Sequence, residues 1–327
     1  MKKVTYIEAI TQALDEEMAR DERVFLIGED IGLYGGVFKA TKGLMDKYGA
    51  ERVIDSPISE VYIAGGSVGA AMVGMKPVPE IQFADFITPS MDQIIQQMAK
   101  LRYRTAGQWT CPVTMRVCCG ADVGGGLYHS QINEQWFVSQ PGLIVVMPAT
   151  PYDAKGLLKA AIRGEDPVIY FEHKRLYRWI KEEIPEDDFT VPIGKAAVRK
   201  KGNDITIVSY GLMYHRAAEA VTALEKDGIS AELIDMRTLL PWDRETIFES
   251  VKKTSRAVLV QESSKTGGVM GEVGAAIAEE IFDYLDAPVT RVCGIDVPAV
   301  PFAPPMEHFF LPNADKISRA VKKVLEY

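Results

Sequence analysis

The chain has 327 residues, 47% of them apolar and 25% charged, with a formal net charge of -8. That length exceeds one comfortable hydrophobic core and predicts two domains, and the composition is that of a globular protein, not a disordered one. The acidic balance argues against nucleic acid or an anionic membrane as a partner.

Near the N-terminus, Thr5 and Glu8 form a capping-box pattern, and Ile7, Ile10, Leu14 and Met18 recur at helical spacing. Val24-Phe25-Leu26-Ile27 reads as a buried strand ending in Gly28-Glu29-Asp30, followed by the glycine-bearing loop Ile31 to Gly36. Acidic residues just past a strand's carboxyl end lie where α/β sheets place ligands; simple capping is the other reading of Glu29 and Asp30. Arg52 to Asp55 is a short strand, and Asp55-Ser56-Pro57-Ile58-Ser59-Glu60 feeds a helix that carries no charge from Val61 to Met75. With no polar face to turn to water, this helix is expected to be buried on all sides. Gly65, Gly69 and Val73 share one face, and Gly66, Ala70 and Gly74 the neighbouring one. Each glycine costs about 1 kcal/mol against alanine, so a close backbone approach is expected there. Glu60 stands at the mouth of this helix. It is either a wet first-turn glutamate favoured by the helix dipole or a partly desolvated carboxylate tuned for acid–base work.

Pro77 to Phe83 reads as a strand with Ala84-Asp85-Phe86 at its carboxyl end. Ser90 is expected to cap a helix that buries Met91, Ile94, Ile95, Met98 and Leu101 and ends in Arg102-Tyr103-Arg104. After the strand Pro112 to Val117 comes a glycine-rich loop, Gly120 to Gln131, that ends in His129. Such loops often carry function, although a lone histidine serves equally as a structural hydrogen-bonder. Leu143 to Met147 is a strand, Thr150-Pro151 starts a helix with proline at its first position, and Val168 to Glu172 closes the first sheet. Residues 1–180 are read as the first domain, the charged, aperiodic stretch 181–203 as a linker, and 204–327 as a second domain. Strand and helix alternate in both, which predicts two α/β domains with mainly parallel sheets.

No phosphate-binding P-loop, H-E-x-x-H or G-x-S-x-G motif occurs, and Gly65-Gly66-Ser67-Val68-Gly69 lacks the opening of a dinucleotide fingerprint. His129, His173, His215 and His308 are too scattered for a sequence-local metal site. Cys111, Cys118, Cys119 and Cys293 show no C-x-x-C spacing and read as buried thiols. The acidic turn after Lys3 leaves no signal-peptide core, and the run from Val61 to Met75 is too short to span a bilayer, so a cytoplasmic protein is expected. What remains is a placed carboxylate, an amide and aromatic strand end at Gln82, Phe83 and Phe86, and a loop histidine. These suit a flat heterocycle but offer no cradle for its phosphates.

Gly28-Glu29-Asp30, Asp55 to Glu60, Pro79-Glu80-Ile81-Gln82-Phe83, His129-Ser130-Gln131, Pro141-Gly142-Leu143 and Asp153 to Leu157 occur in this order between residues 28 and 157. In this the sequence resembles the beta subunits of the thiamine-diphosphate-dependent decarboxylating component of 2-oxoacid dehydrogenase complexes. Ile81 to Ile87, Leu127 to Gln131 and Phe171 to Arg178 look most like the branched-chain enzymes, with pyruvate and acetoin enzymes and a split transketolase-like half as alternatives. The resemblance implies an N-terminal pyrimidine-binding domain and a transketolase-C-terminal-like domain. It implies that Glu60 hydrogen-bonds the ring nitrogen of the cofactor's aminopyrimidine, that Glu29, Ile58, Gln82 and Phe86 belong to the cofactor pocket, and that His129 faces substrate and the incoming lipoyl group. Phe86 stands where many relatives have tyrosine. The family's potassium ion maps onto Val113, Ala161, Ile162, Gly164 and Asp166, with Gly164 where relatives commonly carry aspartate. Thiamine enzymes hold the magnesium diphosphate through a G-D-G stretch, and none occurs here. An alpha subunit is therefore expected to supply that half in a two-alpha, two-beta assembly, with the C-terminal domain docking a lipoylated dihydrolipoyl acyltransferase core and a 2-oxoacid as substrate.

Overall fold

The computed structural model describes residues 1–327, which divide into two compact units: Met1–Cys119 with Trp136–Ile193, and Gly120–Gln135 with Gly194–Tyr327. No helix is long and apolar enough to cross a membrane.

The first unit contains β1 (Lys2–Thr5), α1 (Tyr6–Arg20), β2 (Val24–Gly28), β3 (Val53–Asp55), α2 (Glu60–Met72), β4 (Lys76–Ile81), β5 (Thr114–Cys119), β6 (Ile144–Val146), α3 (Pro151–Arg163), β7 (Val168–His173) and β8 (Lys181–Ile184). Its strands run in the order β6-β7-β5-β4-β2-β3, and every one of these pairings is parallel. Every residue of β2, β4, β5 and β7 is buried, as strands covered on both faces require. The capping box of α1 is formed: the Thr5 N–H donates to Glu8 Oε2 at 2.7 Å and the Glu8 N–H to Thr5 Oγ1 at 3.3 Å. Its expected stripe of Ile7, Ile10, Leu14 and Met18 is buried. Thr150 caps α3 by accepting from the Asp153 N–H at 3.2 Å. Across the contact of α1 with α3, Lys155 pairs with Glu16 and Arg163 with Glu17, each at 2.6 Å.

The stretch expected as a linker is structured at both ends. Lys181–Ile184 pairs antiparallel with Lys2–Thr5, and the Val191 N–H donates to the Gly156 carbonyl at 3.1 Å. A side chain at Gly156 would lie 2.5 Å from Val191 Cγ2, so this glycine permits the approach. The helix expected to begin at Ser90 also differs: Ala84–Ser90 coils as a tight 3₁₀ segment and Gln93–Met98 as a widened π segment, with Ser90 buried and not capping. Pro89 lies inside the tight segment and removes a backbone donor there.

The second unit contains β9 (Ala197–Lys200), β10 (Ile205–Ser209), α4 (Gly211–Lys226), β11 (Ala231–Asp235), α5 (Arg244–Thr254), β12 (Ala257–Ser264), α6 (Val269–Glu280), β13 (Thr290–Gly294) and α7 (Ala314–Val324). Its sheet runs β13-β12-β10-β11-β9, parallel throughout except that β9 is antiparallel to β11. The Gly120–Gln135 segment belongs to this unit for a visible reason. Buried Glu134 accepts from Tyr210 Oη at 2.6 Å and from Ser263 Oγ at 2.7 Å, and the Ala121 N–H donates to Glu262 at 2.7 Å.

Candidate active site

Three neighbouring strands of the first unit deliver the candidate residues. β2 lies between β3 and β4, with Gly28 in register with both Asp55 and Glu80. Glu29 follows β2, Ile58 and Glu60 follow β3, and Gln82 and Phe86 follow β4, so all five leave the carboxyl edge of one parallel sheet, where such sheets bind ligands. The loop after β2 is fastened to the end of β3, because the Asp55 carboxylate accepts from the N–H groups of Gly32 at 2.5 Å and Leu33 at 3.2 Å. A side chain at Gly32 would meet Asp55 Oδ2 at 2.8 Å, so only glycine allows this closure.

Glu29 is the buried member, 9% exposed, and its Oε1 has no hydrogen-bond partner. Burial pushes its carboxyl above the ordinary value, and the nearby charges of Glu60, Asp30 and Glu80 push the same way. Gln82 Nε2 donates to the Glu29 carbonyl at 3.1 Å. Phe86 packs edge-on to Phe83, centroids 5.8 Å apart, and Phe83 packs likewise against Phe38 at 5.7 Å. Ile58 is 85% exposed, an apolar side chain with nothing from this chain over it. Glu60 is half-buried at the first position of α2. An orphaned buried carboxyl oxygen, a helix-mouth carboxylate, an aromatic wall and a bare aliphatic side chain together fit a flat heterocycle with ring nitrogens.

The helix behind Glu60 departs from expectation. Ile63, Ala64, Ser67, Val68 and Ala71 are buried, but Val61, Tyr62, Gly66, Gly69 and Val73 form a bare apolar face. Nothing lies within 4 Å of a side chain placed at Gly69, and at Gly66 only the ring of Tyr62 does. Lack of charge alone does not bury every side of a helix: this chain covers one side of α2 and leaves the other exposed.

His129 belongs to the second unit and is exposed there. Its loop is pinned: the Gly120 N–H donates to the Gln131 carbonyl at 3.1 Å and Gln131 Nε2 to the Leu127 carbonyl at 3.0 Å. Gly125 is required, since a side chain would lie 2.7 Å from the His129 carbonyl oxygen.

Of the residues expected to ligate potassium, the Val113 carbonyl accepts from the Val168 N–H at 2.9 Å and the Ala161 carbonyl from the Gly164 N–H at 3.1 Å. The carbonyls of Ile162 and Gly164 accept from Lys76 Nζ at 3.2 and 3.0 Å, and Asp166 pairs with Arg102 at 2.5 Å. Lys76 carried no weight in the sequence reading, although a lone lysine opening a buried strand was a signal. A second unread group sits in the sheet: buried Arg116 pairs with Glu80 at 2.5 Å and Glu172 at 2.6 Å, and Tyr177 Oη donates to Glu172 at 2.7 Å. A charge in the middle of a buried strand was its trace.

Residues 2–180 match the family model "Transketolase, pyrimidine binding domain" and residues 194–317 the model "Transketolase, C-terminal domain". The chain is 54% identical to the 2-oxoisovalerate dehydrogenase subunit beta of Bacillus subtilis (strain 168), over 100% of both chains. It is 48% identical to the mitochondrial 2-oxoisovalerate dehydrogenase subunit beta of Dictyostelium discoideum, covering 100% of this chain and 88% of that one. The pyruvate dehydrogenase E1 component subunit beta of Bacillus subtilis (strain 168) is 46% identical over 100% of both chains. Among solved structures, a split-gene transketolase in an inactive beta4 tetramer matches with a TM-score of 0.80 at 26% identity, covering 99% of this chain and 98% of that one.

Proposed function

Because the chain belongs to the family of 2-oxoacid dehydrogenase beta subunits, we propose that it is the beta half of an enzyme that decarboxylates branched-chain 2-oxoacids oxidatively and passes the acyl group to a lipoyl arm. The observation that carries the reading is the pairing of half-buried Glu60 at the mouth of α2 with buried Glu29, whose Oε1 lacks a partner, at adjacent strand ends. When bound, thiamine diphosphate supplies the nucleophilic carbon and the electron sink for loss of carbon dioxide.

The chain's own residues have narrower tasks. Glu60 holds and returns a proton at the pyrimidine ring nitrogen, as general acid–base chemistry requires. Glu29, whose carboxyl burial pushes up, offers its unpaired buried oxygen to the cofactor beside it. The hydrogen bond from Gln82 to the Glu29 carbonyl fixes the rear of the pocket, and Phe86 and Ile58 exclude water from the ring faces. In this reading His129 serves the substrate and the lipoyl acceptor.

The pocket is half a site. With no G-D-G stretch in the sequence, the magnesium diphosphate falls to an alpha subunit in an α2β2 assembly. The bare face of α2 is the surface this reading gives to a subunit contact, and the lipoylated acyltransferase core is the further partner. The test is reconstitution: decarboxylation of 3-methyl-2-oxobutanoate, followed with an artificial electron acceptor, is expected only with the alpha partner present. Full activity from this chain alone overturns the split site.

The pyruvate dehydrogenase relative supports a second reading, in which pyruvate is the substrate. Comparing kcat/KM for pyruvate and the three branched 2-oxoacids on the reconstituted heteromer separates the two.

A further inference from the structure

We propose that Lys76 is the built-in monovalent cation of the first unit, and that its ammonium group stands in for the potassium ion the family resemblance implies. Its backbone is fixed at the start of β4, where its N–H donates to the Arg23 carbonyl at 2.9 Å. The residue is only 6% exposed. Nζ reaches the carbonyl oxygens of Ile162 at 3.2 Å, Arg163 at 3.1 Å and Gly164 at 3.0 Å, and Glu165 Oε1 at 3.3 Å.

Those three carbonyls are the unsatisfied acceptors at the end of α3. A helix leaves its last carbonyls without intrahelical partners, and they sit at the negative end of its dipole. The Gly164 N–H already closes back on the Ala160 and Ala161 carbonyls, which leaves the next three oxygens open. An ammonium carries three donors and no acceptor, so Lys76 answers three carbonyls with one charge. It has the charge of a potassium ion and nearly its size.

The donor set does not leave room for both. Two of the five expected ligands, Ile162 and Gly164, already face the ammonium, and Asp166 is turned to Arg102. Gly164 offers no carboxylate. A second cation there would meet a fixed like charge among shared oxygens. The inference depends on the fold position of Lys76 and stands whichever 2-oxoacid is the substrate.

The experiment uses the purified heteromer in potassium, sodium or choline chloride at equal ionic strength, with Tm and crystal soaks as readouts. The wild type is expected to show the same Tm in all three salts, and crystals soaked in rubidium are expected to show no anomalous peak among the carbonyls of residues 161–164. Lys76→Met is expected to lose Tm in choline chloride. A potassium-selective rise in the wild-type Tm, a rubidium peak at those carbonyls, or a Lys76→Met heteromer as stable as the wild type overturns the proposal. Should the variant fail to assemble, the wild-type salt series and the rubidium soak still decide it.

Discussion

Gln82 Nε2 lies 3.1 Å from the carbonyl oxygen of Glu29 and donates to it, bridging the carboxyl ends of β4 and β2. The bond goes to the Glu29 backbone, and the Glu29 side chain keeps a buried oxygen with no partner in this chain. The two residues thus differ in state: the Gln82 amide is tied to the loop, and the Glu29 carboxylate keeps one buried oxygen unpaired.

That arrangement has a pH signature. Burial and the neighbouring Glu60, Asp30 and Glu80 push the Glu29 carboxyl up, so the folded chain holds that proton more tightly than the unfolded chain does. Stability therefore falls as pH rises from the unfolded value through the raised folded one, and the penalty is absent below the ordinary carboxylate range. Glu29→Gln is expected to raise the Tm of the isolated chain at neutral pH and to leave it unchanged below about pH 4. Thermal melts of both proteins across that range check it.

The positions of Glu29, Glu60 and Gln82 were legible because each follows a short apolar run that ends abruptly in polar residues, the mark of a buried parallel strand. The cover of α2 was not legible. An uncharged run does not say which of its sides the chain covers: Ile63 and Val68 are buried, while Tyr62 and Val73 are exposed. The home of Gly120–Gln135 was equally hidden, because it depends on Glu134 reaching Tyr210 and Ser263, far along the sequence. Lys76 passed unread for a similar reason: its partners, the carbonyls at the end of α3, are backbone atoms that no residue letter advertises.

The bare face of α2 gives a way to test folding and assembly separately. Gly69 has open space around it, so Gly69→Ala is expected to stabilise the isolated chain by up to about 1 kcal/mol through helix propensity. Gly69→Phe is expected to leave the isolated chain folded, by circular dichroism, yet to block heteromer formation on size-exclusion chromatography. Normal assembly of Gly69→Phe would show that this face has no close partner.

Inside the sheet, Arg116 is fully enclosed between Glu80 and Glu172. Removing one member leaves uncompensated buried charge, so Arg116→Met is expected to destabilise the chain by about 3–5 kcal/mol. Urea unfolding measures the loss. A cost below 1 kcal/mol would mean the carboxylates find other partners.

The cysteines are expected to be chemically quiet. None of the four is in a disulfide, and burial pushes the thiols of Cys111 and Cys293 up to about 12 and about 11. Cys118 is raised further in the same direction by burial beside Glu80 and Glu172. The thiolate is the reactive form, so iodoacetamide near pH 8 is expected to spare Cys111, Cys118 and Cys119 until denaturant is added. Mass spectrometry of the labelled chain reads the outcome.

The most direct test of the half-site is Glu60→Gln in the reconstituted heteromer. Turnover of 3-methyl-2-oxobutanoate is expected to fall by about 10²- to 10⁴-fold, the range of a lost general acid–base group, while the heteromer elutes at the wild-type position. Unchanged turnover in an intact assembly would remove Glu60 from the chemistry and contradict the account.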